Sequence, residues 1–335
     1  MKKKTFIIAE IGINHNGSFK LAKKLIDASV ECGADAVKFQ TFNTESEMNK
    51  YTGKLNYQKK DINKNISLFD YTKKLELDEN ELDELMKYAK KRNIIFFSSP
   101  SDIYSVKLLI KKKQKIWKIA SNLITDYPLL KIVAKLNQKI ILSTGMSTIK
   151  EINKTLVLLN KYGTKNEKIT LMQCTTDYPT KINDLNLNVL TTFQNKFGIK
   201  VGLSDHSESL IAPSLAVALG SSVIEKHITL NKKMNGPDHK ASLSVNEFYK
   251  MINNIRNTEK MLGSYSKKPS KSELKNIPQT RKSIFVFQNI QKGEIIKEKH
   301  LTTMRPGTGV NPMKWNLVIG SKARKNFKKG QILEV

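Results

Sequence analysis

Cysteine is almost missing from this chain. Two in 335 residues, Cys32 and Cys174, form neither a disulfide framework nor a metal-ligand spacing, which points to a reduced, cytoplasmic protein. Long apolar runs are missing as well: nothing approaches the ~18 residues of a membrane span. The basic start, MKKK, precedes only a few apolar residues before Glu10, so this stretch reads as a strand and not as a signal peptide. Acidic residues are scarce, 30 against 58 Lys and Arg, for a formal net charge of +28. Such an excess fits a nucleic-acid or membrane-surface binder, or an enzyme with an anionic substrate. The lysines are spread along the chain, and no basic run is interleaved with aromatics, so a nucleic-acid platform is not expected.

What is present is a regular alternation. Short apolar runs occur at 5–9, 36–40, 94–98, 116–120, 139–144, 169–174, 200–204 and 222–227, each followed by a helix-like stretch such as FKLAKKLIDASVECG or TIKEINKTLVLLNKYG. The apolar spacing of the long stretches follows the three-and-four rhythm of a helix, and Gly33, Gly163, Gly198 and Gly220 stand where helices close. Eight strand–helix units predict a (β/α)8 barrel over 1–263, with a doubly wound open sheet as the rival. Residues 43–80 form a long polar insertion after the second strand, on the side where ligands bind. Residues 264–281, with Pro269 and Pro278, read as a linker. Residues 282–335, with Gly293, Gly307, Gly309 and Gly330 at turns, read as a small β-rich domain, marginal on its own.

Chemistry in a barrel gathers at the carboxyl ends of the strands. There the sequence offers Glu10, Lys38 and Gln40, Ser98 and Ser99, Lys118 and Ser121, Ser143 and Thr144, Cys174 with Tyr178 beyond it, Ser204 with His206, and Glu225 with His227. Two of only five histidines fall at matching strand ends. Neutral imidazoles so placed can hold a divalent metal and leave positions open for substrate; the alternative is two solvated loop histidines. Lys38 and Lys118 in an apolar barrel need counter-charges. They either hold a phosphate or carboxylate, together with the serine hydroxyls, or pair with Glu10 and Glu225, and the two are compatible. The residues alone therefore predict a barrel enzyme with a small anionic substrate.

The segments AEIGINHNG, VKFQTF, KIAS, ILSTGM, CTTDYP, GLSDHS, VIEKHITL and GPDHKASL, in this order, resemble the sialic acid synthases, and KGEII and MRPGTG resemble their antifreeze-like (SAF) domain. The resemblance covers nearly the whole chain. It implies condensation of phosphoenolpyruvate with an N-acetylated mannose-type sugar, N-acetylmannosamine or 2,4-diacetamido-2,4,6-trideoxymannose, to a nine-carbon 2-keto acid (sialic or legionaminic) with release of phosphate. It implies Mn2+, with Mg2+ or Co2+ as alternatives, on His206 and His227. Lys38, Lys118, Ser121, Ser143 and Ser204 would hold phosphoenolpyruvate, and Ser98 joins this substrate-binding set. Gln40, Tyr178 and Asp238 would hold the sugar, with Glu10 and Glu225 as acid–base groups. It also implies a homodimer with an exchanged C-terminal domain, whose Arg305 reaches the neighbour's sugar. Two positions depart from the family pattern. Leu123 stands where an acidic sugar contact is usual, which points to a diacetamido sugar, and Thr176 stands where some members have Asn. A metal-dependent aldolase lacking the C-terminal domain and a non-catalytic polyanion binder are the alternative functions.

Overall fold

The computed structural model describes residues 4–55, 58–62 and 64–334, and its chain divides into two units, Met1–Gly263 and Ser264–Val335. Among the described residues of the first, eight parallel strands form the barrel: β1 Phe6–Gly12, β2 Ala36–Thr41, β3 Ile95–Pro100, β4 Ile116–Ile119, β5 Lys139–Ser143, β6 Ile169–Cys174, β7 Lys200–Asp205 and β8 Val223–Thr229, with a two-residue strand Leu243–Ser244 added parallel to β8. They follow the order β3-β2-β1-β8-β7-β6-β5-β4, the order of a barrel laid open between β3 and β4. At that seam a side chain takes the place of a ladder. The Gln114 amide accepts from Ser98 N–H and donates to Ser98 O at 2.7 and 2.9 Å, and Ser99 Oγ donates to Lys118 O at 3.0 Å.

Helices surround the strands because their apolar residues recur on one face. Phe19–Glu31 buries Ala22, Leu25 and Ile26, and Val245–Leu262 buries Phe248, Met251, Ile252 and Ile255. Several start on reciprocal caps, such as Asp78 with Glu81 and Thr148 with Glu151, which satisfy amides that a helix start leaves open. Gly33, Gly163, Gly198 and Gly220 all have positive φ. The main core lies between strands and helices. A second cluster, Ile8, Ala36, Phe97, Ile141, Met172 and Val223, takes one residue from each of six strands and forms the floor inside the barrel. No helix among the described residues is long and apolar enough to cross a membrane.

Two expectations change here. The 43–80 insertion is not plain loop: it carries the short helices Thr44–Glu47, Gln58–Asp61 and Leu68–Lys73. The 264–281 stretch is not plain linker: residues Lys271–Thr280 form a helix, started by a Ser270–Glu273 capping box and with Pro278 in its last turn. Serine followed three residues later by glutamate is the local signal, and it outweighs the prolines. The rest of the second unit pairs strand Ser283–Val286 with Leu301–Met304 in antiparallel register over a small core including Ile284, Val286, Ile296, Leu301, Phe327 and Leu333.

Gly17 has φ +71°, and a Cβ there would lie 2.4 Å from the Lys74 carbonyl oxygen, whereas at Gly33, φ +85°, a Cβ would meet nothing within 4 Å. Gly33→Ala should cost roughly 1–2 kcal/mol for the left-handed backbone alone. Gly17→Ala should cost at least about 1 kcal/mol more, because the insertion must move. Denaturant unfolding of both variants measures the difference.

Candidate active site

Alternation along each strand builds the site. Two residues above the floor, Ile8 leads to Glu10, Ala36 to Lys38, Phe97 to Ser99, Ile141 to Ser143, Met172 to Cys174 and Val223 to Glu225. Lys118 and Ser204 complete the layer from β4 and β7, and His206 and His227 stand one step higher. The layer carries four charges, each with a side chain 4% exposed or less. Lys38 Nζ lies 2.8 Å from Glu10 Oε2 and 3.7 Å from Glu225 Oε1, and Lys118 Nζ lies 3.0 Å from Glu225 Oε1. Ser204 Oγ donates to Glu225 Oε1 at 3.2 Å, and Gln40 Nε2 donates to Glu10 Oε1 at the same distance. The pairing of lysines with glutamates is thus realised, and it leaves a donor and an acceptor over: among the described residues the buried Ser143 hydroxyl and the Glu225 Oε2 carboxylate oxygen have no hydrogen-bond partner.

Burial and neighbours split the two carboxyls. Burial pushes Glu10 up to about 7, with Lys38 opposing and Glu225 adding to the rise. Burial also works against an ionised Glu225, but Lys118 and Lys38 outweigh it and hold that carboxyl below its ordinary value. One carboxyl therefore titrates near neutrality while the other stays ionised, the arrangement acid–base chemistry needs.

The two imidazoles meet above this layer, ring centroids 5.4 Å apart at 60°. His206 Nδ1 donates to Thr175 O at 2.7 Å, which leaves Nε2 as the acceptor, 3.1 Å from the Tyr178 hydroxyl. Tyr178 also stacks on His206 at 4.1 Å and meets His227 edge-on at 5.9 Å. Burial, helped by His206 and Lys38, holds His227 well below the usual imidazole range, so its ring is neutral; its Nδ1 is buried without a hydrogen bond, 3.8 Å from Asp238 Oδ2. Burial raises Asp238 to about 6. His206 is itself held above its ordinary value, burial opposing and the buried Cys174 outweighing it. Once neutral, its Nε2, here met by the Tyr178 hydroxyl, and the orphaned nitrogen of His227 fit a divalent cation. Among the described residues no three His, Cys, Asp or Glu side chains group as a metal site.

The loop carrying Asp238 is tied to the loop after β1. Asn14 Nδ2 donates to Ile228 O and Ser242 Oγ at 2.9 and 2.8 Å, and Ser242 Oγ donates to Asp238 O at 2.6 Å. Ser121 Oγ accepts from Gly145 N–H at 3.0 Å, and a Cβ on Gly145 would strike it at 2.8 Å, so only glycine lets this serine approach.

Glu10, Lys38, Gln40, Lys118, Ser143, Ser204, Glu225, His206, His227, Tyr178 and Asp238 are thus brought to one end of the barrel, with Ser121 on its rim. Ser98 is not. It is one residue out of phase with Phe97 and Ser99, and its Oγ bonds Thr41 Oγ1 at 2.6 Å on the helix side of the sheet; Ser99 takes the inward place. Leu123 is buried in the main core cluster, where an apolar side chain is at home. Arg305 is exposed in the second unit, just after strand Leu301–Met304. Sequence reasoning also passed over the Asn14–Ser242 tie, for which no local pattern gives a signal.

Comparison with known proteins decides the family. The NeuB family model matches residues 25–267 and the SAF domain model residues 281–334. The chain belongs to the NeuB family. It is 46% identical to the N,N'-diacetyllegionaminic acid synthase of Campylobacter jejuni, over 99% of both chains. It is 36% identical to the pseudaminic acid synthase of the same species, over 99% of this chain and 96% of that one. Among solved structures, the N-acetylneuraminic acid synthetase of Leptospira borgpetersenii in complex with citrate is 31% identical, with a TM-score of 0.73 over 82% of this chain and 90% of that one.

In the unfolded chain Glu10 titrates near its ordinary value of 4.5, and in the folded protein near 7. The folded state therefore holds an extra proton between these values, and stability falls as pH rises through that window and levels off above it. Glu10→Gln should lack this decline. Unfolding free energies of the two proteins measured from pH 4 to 8 should diverge through the window, in favour of the variant.

Proposed function

We propose that this enzyme condenses phosphoenolpyruvate with an N-acetylated, mannose-type sugar and releases phosphate, and that the sugar is 2,4-diacetamido-2,4,6-trideoxymannose, giving a legionaminic-type acid. The observation that carries the condensation is the buried layer in which two lysines, two carboxyls and inward hydroxyls share one pocket beneath a pair of imidazoles. The diacetylated sugar is supported by the greater likeness to a diacetyllegionaminic acid synthase, 46% against 36% for a pseudaminic acid synthase. The SAF domain counts against the simple aldolase.

In this reading Lys38, Lys118, Ser121, Ser143 and Ser204 hold the phosphate and carboxylate of phosphoenolpyruvate. Gln40, Tyr178 and Asp238 orient the open-chain sugar so that its aldehyde carbon faces C3 of the enol. A divalent ion on His206 and His227, Mn2+ by preference, would supply Lewis-acid polarisation of that aldehyde. C3 bonds to the aldehyde carbon, water adds at C2, and phosphate departs with cleavage of the C–O bond. Glu10, titrating near 7, can take the proton of the attacking water and return it to a leaving oxygen. Glu225 stays ionised and fixes the two lysines. The neutral quartet becomes net cationic when Glu10 is protonated, which favours the entering anion. A cytoplasmic homodimer, in which Arg305 of the second unit reaches the other subunit's sugar, belongs to the same proposal.

A phosphate-release assay with phosphoenolpyruvate and a panel of sugars tests it. Turnover should require a divalent ion, stop with chelator, and favour the diacetamido sugar over N-acetylmannosamine; strong preference for the latter removes the legionaminic assignment. Lys118→Met should lower kcat/KM by at least about a hundredfold, the usual loss of a charged transition-state contact.

A further inference from the structure

Each strand that presents an imidazole carries a charged residue just before it, and the two charges pair. Asp205 is the last residue of β7, just before His206, Lys226 precedes His227 on β8, and Asp205 and Lys226 are direct neighbours in the parallel register. Because side chains alternate, both point away from the barrel interior. Both side chains are 0% exposed, with Lys226 Nζ 2.6 Å from Asp205 Oδ2. Lys226 Nζ also donates to the Ser207 carbonyl, and Ser207 N–H donates to Asp205 Oδ1 at 2.8 Å. The residues on either side of His206 are thus fastened to the residue before His227.

A fully buried ion pair is a poor device for stability, since desolvation offsets most of the attraction and apolar replacements often do as well. What it supplies is one geometry: a lysine held by a carboxylate and a carbonyl has no second place to go. We propose that Asp205 and Lys226 form a positioning strap on the outer face of β7 and β8, which fixes the tips of the two strands so that His206 and His227 converge on a single point inside the barrel. They touch neither substrate nor ion. Their role is to set the separation and tilt of the rings, and so the affinity for a divalent cation. The cation part of this inference rests on the metal reading given above.

The test uses the full-length protein freed of metal. Lys226→Met alone would strand the Asp205 charge, so the informative variant is D205N/K226M, which removes both charges; K226R keeps the pair in altered geometry and carries the test if the double variant does not fold. Unfolding midpoint, Mn2+ affinity by calorimetry, and the ring separation in a crystal structure are measured for each. D205N/K226M should fold with near wild-type stability but bind Mn2+ at least about tenfold more weakly, as expected when outer support of ligands is lost, with rings displaced from the 5.4 Å separation. K226R should fall between. A folded variant with unchanged rings and wild-type Mn2+ affinity overturns the strap. Wild-type protein that binds no Mn2+ overturns the metal reading instead, and the strap then stands or falls on the ring separation alone.

Discussion

Four ionisable side chains buried in one layer of the barrel constrain everything above and below them. A lone ammonium or carboxylate in this place would cost several kcal/mol. Two of each, interlocked through Lys38–Glu10, Lys38–Glu225 and Lys118–Glu225, can be tolerated because each lysine meets a carboxylate and Gln40 and Ser204 share the oxygens. The accommodation is incomplete: burial keeps Glu10 near neutrality in its affinity for protons. The layer is therefore poised to gain from an anion, and the apolar floor lies directly below it.

The faces of the strands divide the work. Inward positions carry the floor, the charges and the imidazoles; outward positions carry core residues and the devices that hold the strands in place. Gln114 closes the seam at Ser98, and the Asp205–Lys226 pair fastens the tips of β7 and β8. A shift of one residue would exchange these roles. The loops at the mouth are tied in turn through Asn14 and Ser242, which bring Asp238 over His227.

Much of this was legible in the sequence, because the strands are nearly continuous apolar runs and each ends in polar residues of unusual kind. All eight strands, the insertion and the change of texture after Gly263 could be read from pattern. Phase could not be read as surely. In FFSSP both serines are small and polar, and only the register against Lys38 and Gln40 shows that Ser99, not Ser98, faces inward. The helix Lys271–Thr280 was hidden by its prolines, since its capping box lies outside any apolar periodicity. Asp205 and Lys226 were visible as neighbours of the histidines, but their pairing depends on strand register, a property of two segments at once. The polarity expected at Leu123 was a family expectation, and its burial in the core depends on packing with residues distant in sequence.

The most direct test of the central claim is a crystal structure of the enzyme soaked with phosphoenolpyruvate and Mn2+, with anomalous data for the metal. The account predicts a single Mn2+ about 2.0–2.3 Å from an imidazole nitrogen of both His206 and His227, distances usual for first-row ions. It also predicts the ligand's anionic groups against Lys38, Lys118 and Ser143 inside the barrel. Phosphoenolpyruvate bound elsewhere, with the four buried charges still paired only to one another, would contradict it.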